Sequence, residues 1–318
     1  MNLDFHYLYH SFWFLTVTGL AQGAIYALVA LGYTMVYGVL KLINFAHSEV
    51  FLVGTFAIWY VWGWTGLDQN AGKQSLLMVL VYLLLGLLAG AAGSGATAVV
   101  LERVAYRPLR RRNAPSLVFL ITAIGASIAI SEAVGIYIDR GNRGLNHLVQ
   151  PKAVFTLGDT QVTNLEIGLV VAAVAMTLAL DVFIRRTRLG RGVRAVAQDP
   201  DTAALMGVNK DRVFVLTFLL GGLLAGGAAL LYNLKFATTK FDVGFILGIK
   251  AFTAAVLGGI GNLRGALLGG LLIGLIENYG SALFGTGWKN VVVFVALIII
   301  LMFRPTGLLG ESLGRARA

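Results

Sequence analysis

Nothing constrains this chain more than the regular return of long apolar runs, each bounded by a short polar segment. Runs able to cross a hydrocarbon core of roughly 30 Å fall at 12–39, 42–64, 76–101 and 116–138, and again at 166–184, 213–232, 244–259, 266–284 and 291–303. Barrel strands are about ten residues long and alternate in polarity, and these runs do neither. The expected fold is all-α: a polytopic integral membrane helix bundle in a single domain over 1–318, with about eight or nine transmembrane helices, some broken or re-entrant. Hydrophobic residues make up 58% of the chain and charged residues 13%, and the mean hydropathy is +0.80, which a soluble globular domain does not sustain. The 40 glycines against five prolines point to helices that approach closely through small residues, because lipid gives apolar helices no reason to associate.

The net charge of +10 raises the question of nucleic acid. The basic residues lie in clusters between apolar spans, chiefly 103–112 and 185–212, as orientation in a membrane requires, so no nucleic-acid partner is expected. With both clusters on the cytoplasmic side, the loop 139–164 faces out. Alternation then puts the N-terminus outside and the C-terminal "GRARA" (314–318) inside. The opening "MNLDFHYLYHSFWF" carries no lysine or arginine and no cleavage site, so no removable signal peptide is expected. Zero cysteines exclude disulfides and thiolate metal sites, and four scattered histidines give no zinc pattern.

The segment 185–212, "RRTRLGRGVRAVAQDPDTAALMGVNKDR", is a polar, basic island. Asp199 suits an N-cap, Pro200 the first helical position and Gly207 the left-handed residue past the end. About two turns fit between them, and so short a helix is stable only when packed on its own domain or on a partner. A cytoplasmic docking surface is implied; the alternative is an ordinary inter-helix loop whose arginines only fix topology.

An ionisable group near the bilayer centre costs about 2.5 kcal/mol or more, so Glu49, Glu132, Lys250 and Glu277 each need a partner or water. Asn44, His47, Ser48 and Glu49 interrupt one apolar run, and Lys250 with "LGGIG" interrupts another. Interruptions in two separated parts of a chain point to discontinuous helices lining a path. His47 and Glu49 either line or gate that route or cap a helix start at the interface. Lys250 is a gate or counter-ion, or the partner of a buried carboxylate. Glu132 and Glu277, toward outer span ends, read as structural. As an internal repeat, the halves share only a glycine-rich helix followed by a polar-interrupted one.

The sequence holds no GxSxG elbow, no HExxH and no paired intramembrane aspartates, so an enzyme is disfavoured. It holds no GxxxxGK[ST] loop either, so no cofactor is expected in this chain and any ATP is bound by partner subunits.

Four motifs, "GAIYALVALGYTMVYGVLKLINFAHSEVFLVG" (23–54), "ERVAYRPLR" (102–110), "RAVAQDPDTAALMGVNKDRV" (194–213) and "KAFTAAVLGGIGNLRGALLGG" (250–270), occur in order and together strongly resemble the permease subunits of bacterial branched-chain amino-acid ABC importers. Ser48 departs from the glycine common there, and the loop around 141–164 also differs. The resemblance implies an inner-membrane subunit paired with a second homologous permease, two cytoplasmic ATPases and an external solute-binding protein. It also implies that 194–213 contacts an ATPase. On that reading Pro200 to Met206 is the coupling helix, Asp199 sets its start, Arg191 and Arg194 anchor the loop, and Ala203 and Met206 lie on its buried face, with Gly207 ending it. Asn44, His47, Glu49 and Lys250 are the candidate path residues. Permeases for urea and short-chain amides share these motifs and stand as the alternative substrate class. A proton- or sodium-driven transporter, with His47, Glu49 and Lys250 as relay, is a further rival.

Overall fold

The computed structural model describes residues 10–67 and 71–310; the expectations for the extreme N-terminus and for 314–318 lie outside the described residues. Helix α1 (Phe12–Leu40) leads through 41–46 into α2 (His47–Trp64). Helix α3 (Leu76–Leu101) runs on through a π-helical turn (Glu102–Tyr106) into α4 (Arg107–Arg111). After α5 (Ser116–Tyr137) comes a cap of short strands, β1 (Arg143–Gly144), β2 (Ala153–Leu157) and β3 (Thr160–Thr163). Helices α6 (Asn164–Arg186), α7 (Arg188–Gln198), α8 (Pro200–Leu205) and α9 (Lys210–Phe236) follow. Strand β4 (Thr238–Thr239), α10 (Val243–Gly258), α11 (Leu263–Phe284) and α12 (Lys289–Phe303) complete the described chain.

Each expected apolar run is a helix, and among the described residues seven helical stretches are long and apolar enough to cross a membrane. The other two runs are α2, which carries buried polar groups in its first turn, and the shorter α10. Polar side chains mark the starts of several helices: the Asn209 side chain accepts from Arg212 N at 3.0 Å, and Thr163 and Glu166 form a reciprocal capping box. The expected start of α2 at residue 42 is corrected to His47. Lys41 takes a left-handed conformation that ends α1, and 42–46 pass as a non-helical crossing before the next helix can begin.

Helices α1 and α9 form the core. In their apolar stretches 67% and 72% of residues are buried, against 6% for α12, which packs on α11 along one side and leaves the other uncovered. Packing is crosswise: α1 lies against α11, and α9 lies against α3. Both crossings use small residues spaced four apart, Gly19, Gly23 and Ala27 against Gly270 and Gly274, and Gly222 and Gly226 against Gly90, Ser94 and Ala98. A side chain on Gly226 would begin 2.4 Å from the Gly90 backbone, and one on Gly270 would begin 2.4 Å from Ala27 Cα. No side chain larger than hydrogen fits there.

This crosswise arrangement is a structural repeat. Helices α1, α2 and α3 correspond to α9, α10 and α11. The connections 41–46 and 237–242 are of equal length, and each begins with a non-glycine residue in the left-handed region, Lys41 or Ala237. The Lys235 ammonium near the end of α9 donates to Thr18 O near the start of α1 at 3.3 Å, so the two units run in opposite directions, as inverted-topology repeats do.

Two opposite faces result. One gathers the α1–α2 connection, the end of α3, the loop around α7 and α8, and the α10–α11 turn; Tyr106 OH donates to Asn44 Oδ1 there at 2.9 Å. The other holds the short strands. There β1 pairs with β4, β2 pairs with β3, and Asn146 Nδ2 donates to Ala71 O at 2.7 Å. The two basic clusters share the first face, as the alternation of spans requires.

Because the α3–α9 crossing tolerates no added atoms, Gly226→Leu is expected to lower stability by about 1–3 kcal/mol or to prevent folding. Gly168→Leu, where an added Cβ meets nothing within 4 Å, is expected to behave as the parent. Thermal midpoints of detergent-purified protein by size-exclusion chromatography check the pair, and equal midpoints would remove the close-packing argument.

Candidate functional site

The basic loop folds back on its own domain. Thr187 caps α7 by accepting from Gly190 N at 2.9 Å, and the Arg194 guanidinium donates to Ile184 O, pinning α7 against the end of α6. Arg191 lies exposed on the same helix. Asp199 caps α8 as expected, accepting from Asp201 N at 2.9 Å, Thr202 N at 3.1 Å and Thr202 Oγ1 at 2.5 Å. The bonds from Thr202 and the backbone hold the Asp199 carboxyl below the usual carboxylate range. The cap is therefore charged at neutral pH and is lost only as pH falls through that lowered value. Pro200 occupies the first turn, and Gly207 takes φ +84° just past the end.

Ala203 is buried, and its carbonyl accepts from Val208 N at 3.0 Å. Met206 is not on that face: it is 81% exposed, beside Leu205 at 88%. The physical reason is that α8 ends at Leu205. Met206 is the first residue outside it, its N–H closing the last turn by donating to Thr202 O at 3.2 Å, beyond the part of the helix that packs on the domain. Two exposed apolar side chains thus project from the tip of a capped, anchored helix. Lys210 Nζ bonds Asp201 Oδ1 at 2.9 Å, tying α8 to the first turn of α9.

The second set of residues lies where α2 enters the core. His47 is buried, and its ring fills a slot between Gly32 of α1 and Gly221 of α9; a Cβ on Gly32 would fall on the imidazole itself. Tyr33 meets the same ring edge-on at 5.1 Å. Glu49 is equally buried and accepts from Ser127 Oγ at 3.2 Å and Ser48 Oγ at 3.3 Å. One atom of each polar group here has no protein partner: Asn44 Nδ2, His47 Nε2 and Glu49 Oε2. Since more than nine in ten buried polar groups are normally paired, three such atoms around one helix start mark a polar seam through an apolar core. His47 and Glu49 both lie in the first turn of α2 and are buried, so neither side chain extends to solvent.

Lys250 sits elsewhere, in a closed network. Its Nζ lies 2.7 Å from Glu277 Oε1, Tyr26 OH donates to Glu277 Oε2 at 2.7 Å, and Gln22 Nε2 donates to Tyr26 OH at 2.8 Å. Three helices, α1, α10 and α11, are bound through one buried carboxylate. Glu277 and Lys250 pair structurally, and Glu132 pairs with Arg140 at 2.5 Å at the rim.

Sequence reasoning assigned no role to a third cluster. Glu102, fully buried in the π turn, accepts from Arg110 Nη2 at 2.9 Å, and Arg110 also reaches Asp211 Oδ1 at 2.8 Å. Arg110 stacks over the Phe214 ring at 4.1 Å. The Glu102–Arg110 spacing was visible within "ERVAYRPLR", but only the packing of α9 on α3 reveals Asp211 as the third member.

Residues 15–302 match the family described as "Branched-chain amino acid transport system / permease component". The chain is 40% identical to the high-affinity branched-chain amino acid transport system permease protein BraD of Pseudomonas aeruginosa, over 96% of this chain and 97% of that protein. It is 37% identical to the corresponding permease protein LivH of Escherichia coli, over 92% and 94%. A probable branched-chain amino acid transport permease protein of Methanocaldococcus jannaschii is 26% identical over 89% and 88%.

Removing Lys250 leaves the buried Glu277 with Tyr26 OH at 2.7 Å and, among the described residues, only the more distant Lys289 Nζ, at 3.9 Å, to balance its charge. Lys250→Met is therefore expected to destabilise by about 3–5 kcal/mol, and Lys250→Met with Glu277→Gln to recover much of that loss. Thermal melts of the three proteins in one detergent check it; a double variant no more stable than the single would show that the pair is not the cause.

Proposed function

Because the chain belongs to the branched-chain amino acid transport permease family, we propose that it forms half of a route for branched-chain amino acids across a bacterial inner membrane. It does so as the permease of an ABC importer, with ATP bound and hydrolysed by two separate cytoplasmic subunits. A second homologous permease supplies the other half of the route. An external solute-binding protein delivers substrate to the face that bears the short strands, and first selection among solutes belongs to that protein.

The observation that carries this reading is the tip of α8. An isolated membrane domain gains nothing by exposing Leu205 and Met206 on a helix this firmly capped; a helix that inserts into a partner's cleft needs such a tip. Displacement of α8 is passed on by two ties, Arg194 to the end of α6 and Asp201–Lys210 to the start of α9. Helix α9 is the core helix whose crossing with α1 holds the His47 ring. ATP-driven movement at α8 thereby reaches Asn44, His47 and Glu49, which line the polar seam, while the Lys250–Glu277 network keeps α1, α10 and α11 moving as one block. Alternating access follows from rearrangement about the α1–α9 crossing, with α1, α10 and α11 moving together against the rest of the bundle.

Ala203→Glu places a charge in the buried face of α8. In the complex reconstituted with its binding protein, uptake is expected to fall about tenfold, the scale of a lost coupling free energy, while ATP hydrolysis and membrane assembly persist. Normal coupled uptake would sink the coupling assignment. Tagging the chain and identifying what co-purifies from its native membrane tests the assembly itself: recovery without an ATPase under several detergents would overturn the importer reading.

A further inference from the structure

The basic face carries a feature that neither the polar seam nor the coupling helix uses. Between the end of α3 and the start of α9 runs an open groove of about 510 Å³. Arg103, Arg107 and Arg212 line its rim. The one acid in its lining, Asp211, is already held by Arg107 at 2.9 Å and Arg110 at 2.8 Å. A smaller adjoining cleft shares Arg103 and Arg107 and adds Arg111 and Arg112. Among the described residues Arg103, Arg112 and Arg212 pair with no carboxylate, and Arg107 Nε is buried without a hydrogen-bond partner.

The wall below the rim is of opposite character. Val215, Leu216 and Leu219 line it, and they belong to the apolar stretch of α9 that crosses the membrane. Val100 and Val104, 56% and 72% exposed, stand on the neighbouring helix, so this side of the bundle faces hydrocarbon. Cationic side chains at the membrane boundary above an apolar wall along the span fit one chemistry, a phosphate anion carried on acyl chains. A free phosphate would leave the wall uncovered, and a soluble protein loop would have to descend into the bilayer to cover it.

We infer that this groove binds an anionic phospholipid of the leaflet on the basic face. Its phosphate is held by Arg103 and Arg212 with help from Arg107 Nε, in the forked geometry that guanidinium groups offer a phosphate. Its acyl chain lies along Val215, Leu216 and Leu219. Basic pockets between helices at this depth recognise such headgroups. The lipid touches both α3 and α9, the helices joined by the Glu102–Arg110–Asp211 cluster, and so seals that crossing from the outside.

The test uses the assembled transporter, stripped of lipid in detergent and titrated with phosphatidylglycerol or with phosphatidylcholine of the same acyl chains, with native mass spectrometry as the readout. Phosphatidylglycerol is expected to be retained in preference. Arg103→Gln with Arg212→Gln is expected to cut that retention about tenfold, as loss of two surface cations implies, with no change in subunit composition. Equal retention of the two lipids by the parent protein would overturn the proposal even if the variant failed to assemble, as would unchanged retention by an assembled variant. Displacement of the lipid by millimolar inorganic phosphate would make the groove a free-anion site instead. Finally, Arg103→Cys gives this cysteine-free chain a single thiol. Its protection from a polar thiol reagent by phosphatidylglycerol supports the lipid; protection only when ATPase subunits are bound would assign the groove to a protein contact and overturn it.

Discussion

The fold rests on backbone-to-backbone contact between helices that lipid gives no reason to associate. A leucine facing another helix gains little over one facing acyl chains, so association has to come from dispersion at very short range and from polar bonds. Gly226 against Gly90 and Gly270 against Ala27 supply the first. The short approach of α9 to α3 then brings Asp211 within reach of Arg110, and that of α11 to α1 brings Glu277 within reach of Tyr26. Small residues set the distances, and the buried charges are affordable only at those distances.

The polar groups of the interior fall into two kinds. Glu277, Lys250, Tyr26 and Gln22 satisfy one another almost completely, and the Glu102–Arg110–Asp211 cluster is charge-paired although Glu102 Oε2 and Arg110 Nη1 stay unbonded; charge-paired networks fix an arrangement and resist change. The seam of Asn44, His47 and Glu49 is incompletely satisfied and lies beside the α1–α9 crossing, where the two repeat units meet. Both charged clusters tie one unit to the other, Tyr26 to Glu277 and Arg110 to Asp211, so the under-satisfied seam between those ties is where the packing yields first.

The helices were legible in the sequence because apolar length is a strong and local signal; every expected run is a helix, with ends displaced by a few residues. The capped α8 was also legible, because Asp199, Pro200 and Gly207 act within their own turn. What escaped was set by distance. Met206 was placed on the buried face by helical spacing, yet the helix stops one residue before it. Lys250 called for a buried carboxylate, but the sequence names none; only α10 and α11 side by side identify Glu277. The repeat went unread because it survives in loop lengths and in the left-handed residues Lys41 and Ala237, with little likeness of side chains between the units.

The π-helical turn at Glu102–Tyr106 has a consequence of its own. Each residue advances an α-helix by roughly 100°, and a π turn absorbs about one extra residue without breaking the rod. It therefore acts as a phase shifter. Glu102 points into the protein under the control of α3, while the arginines beyond the turn answer to a different angular setting that aims Arg107 and Arg110 at Asp211. Shortening this stretch by one residue would leave the composition of the basic cluster almost untouched and rotate its charges away from α9. In this part of the chain, residue count carries as much structural information as residue identity.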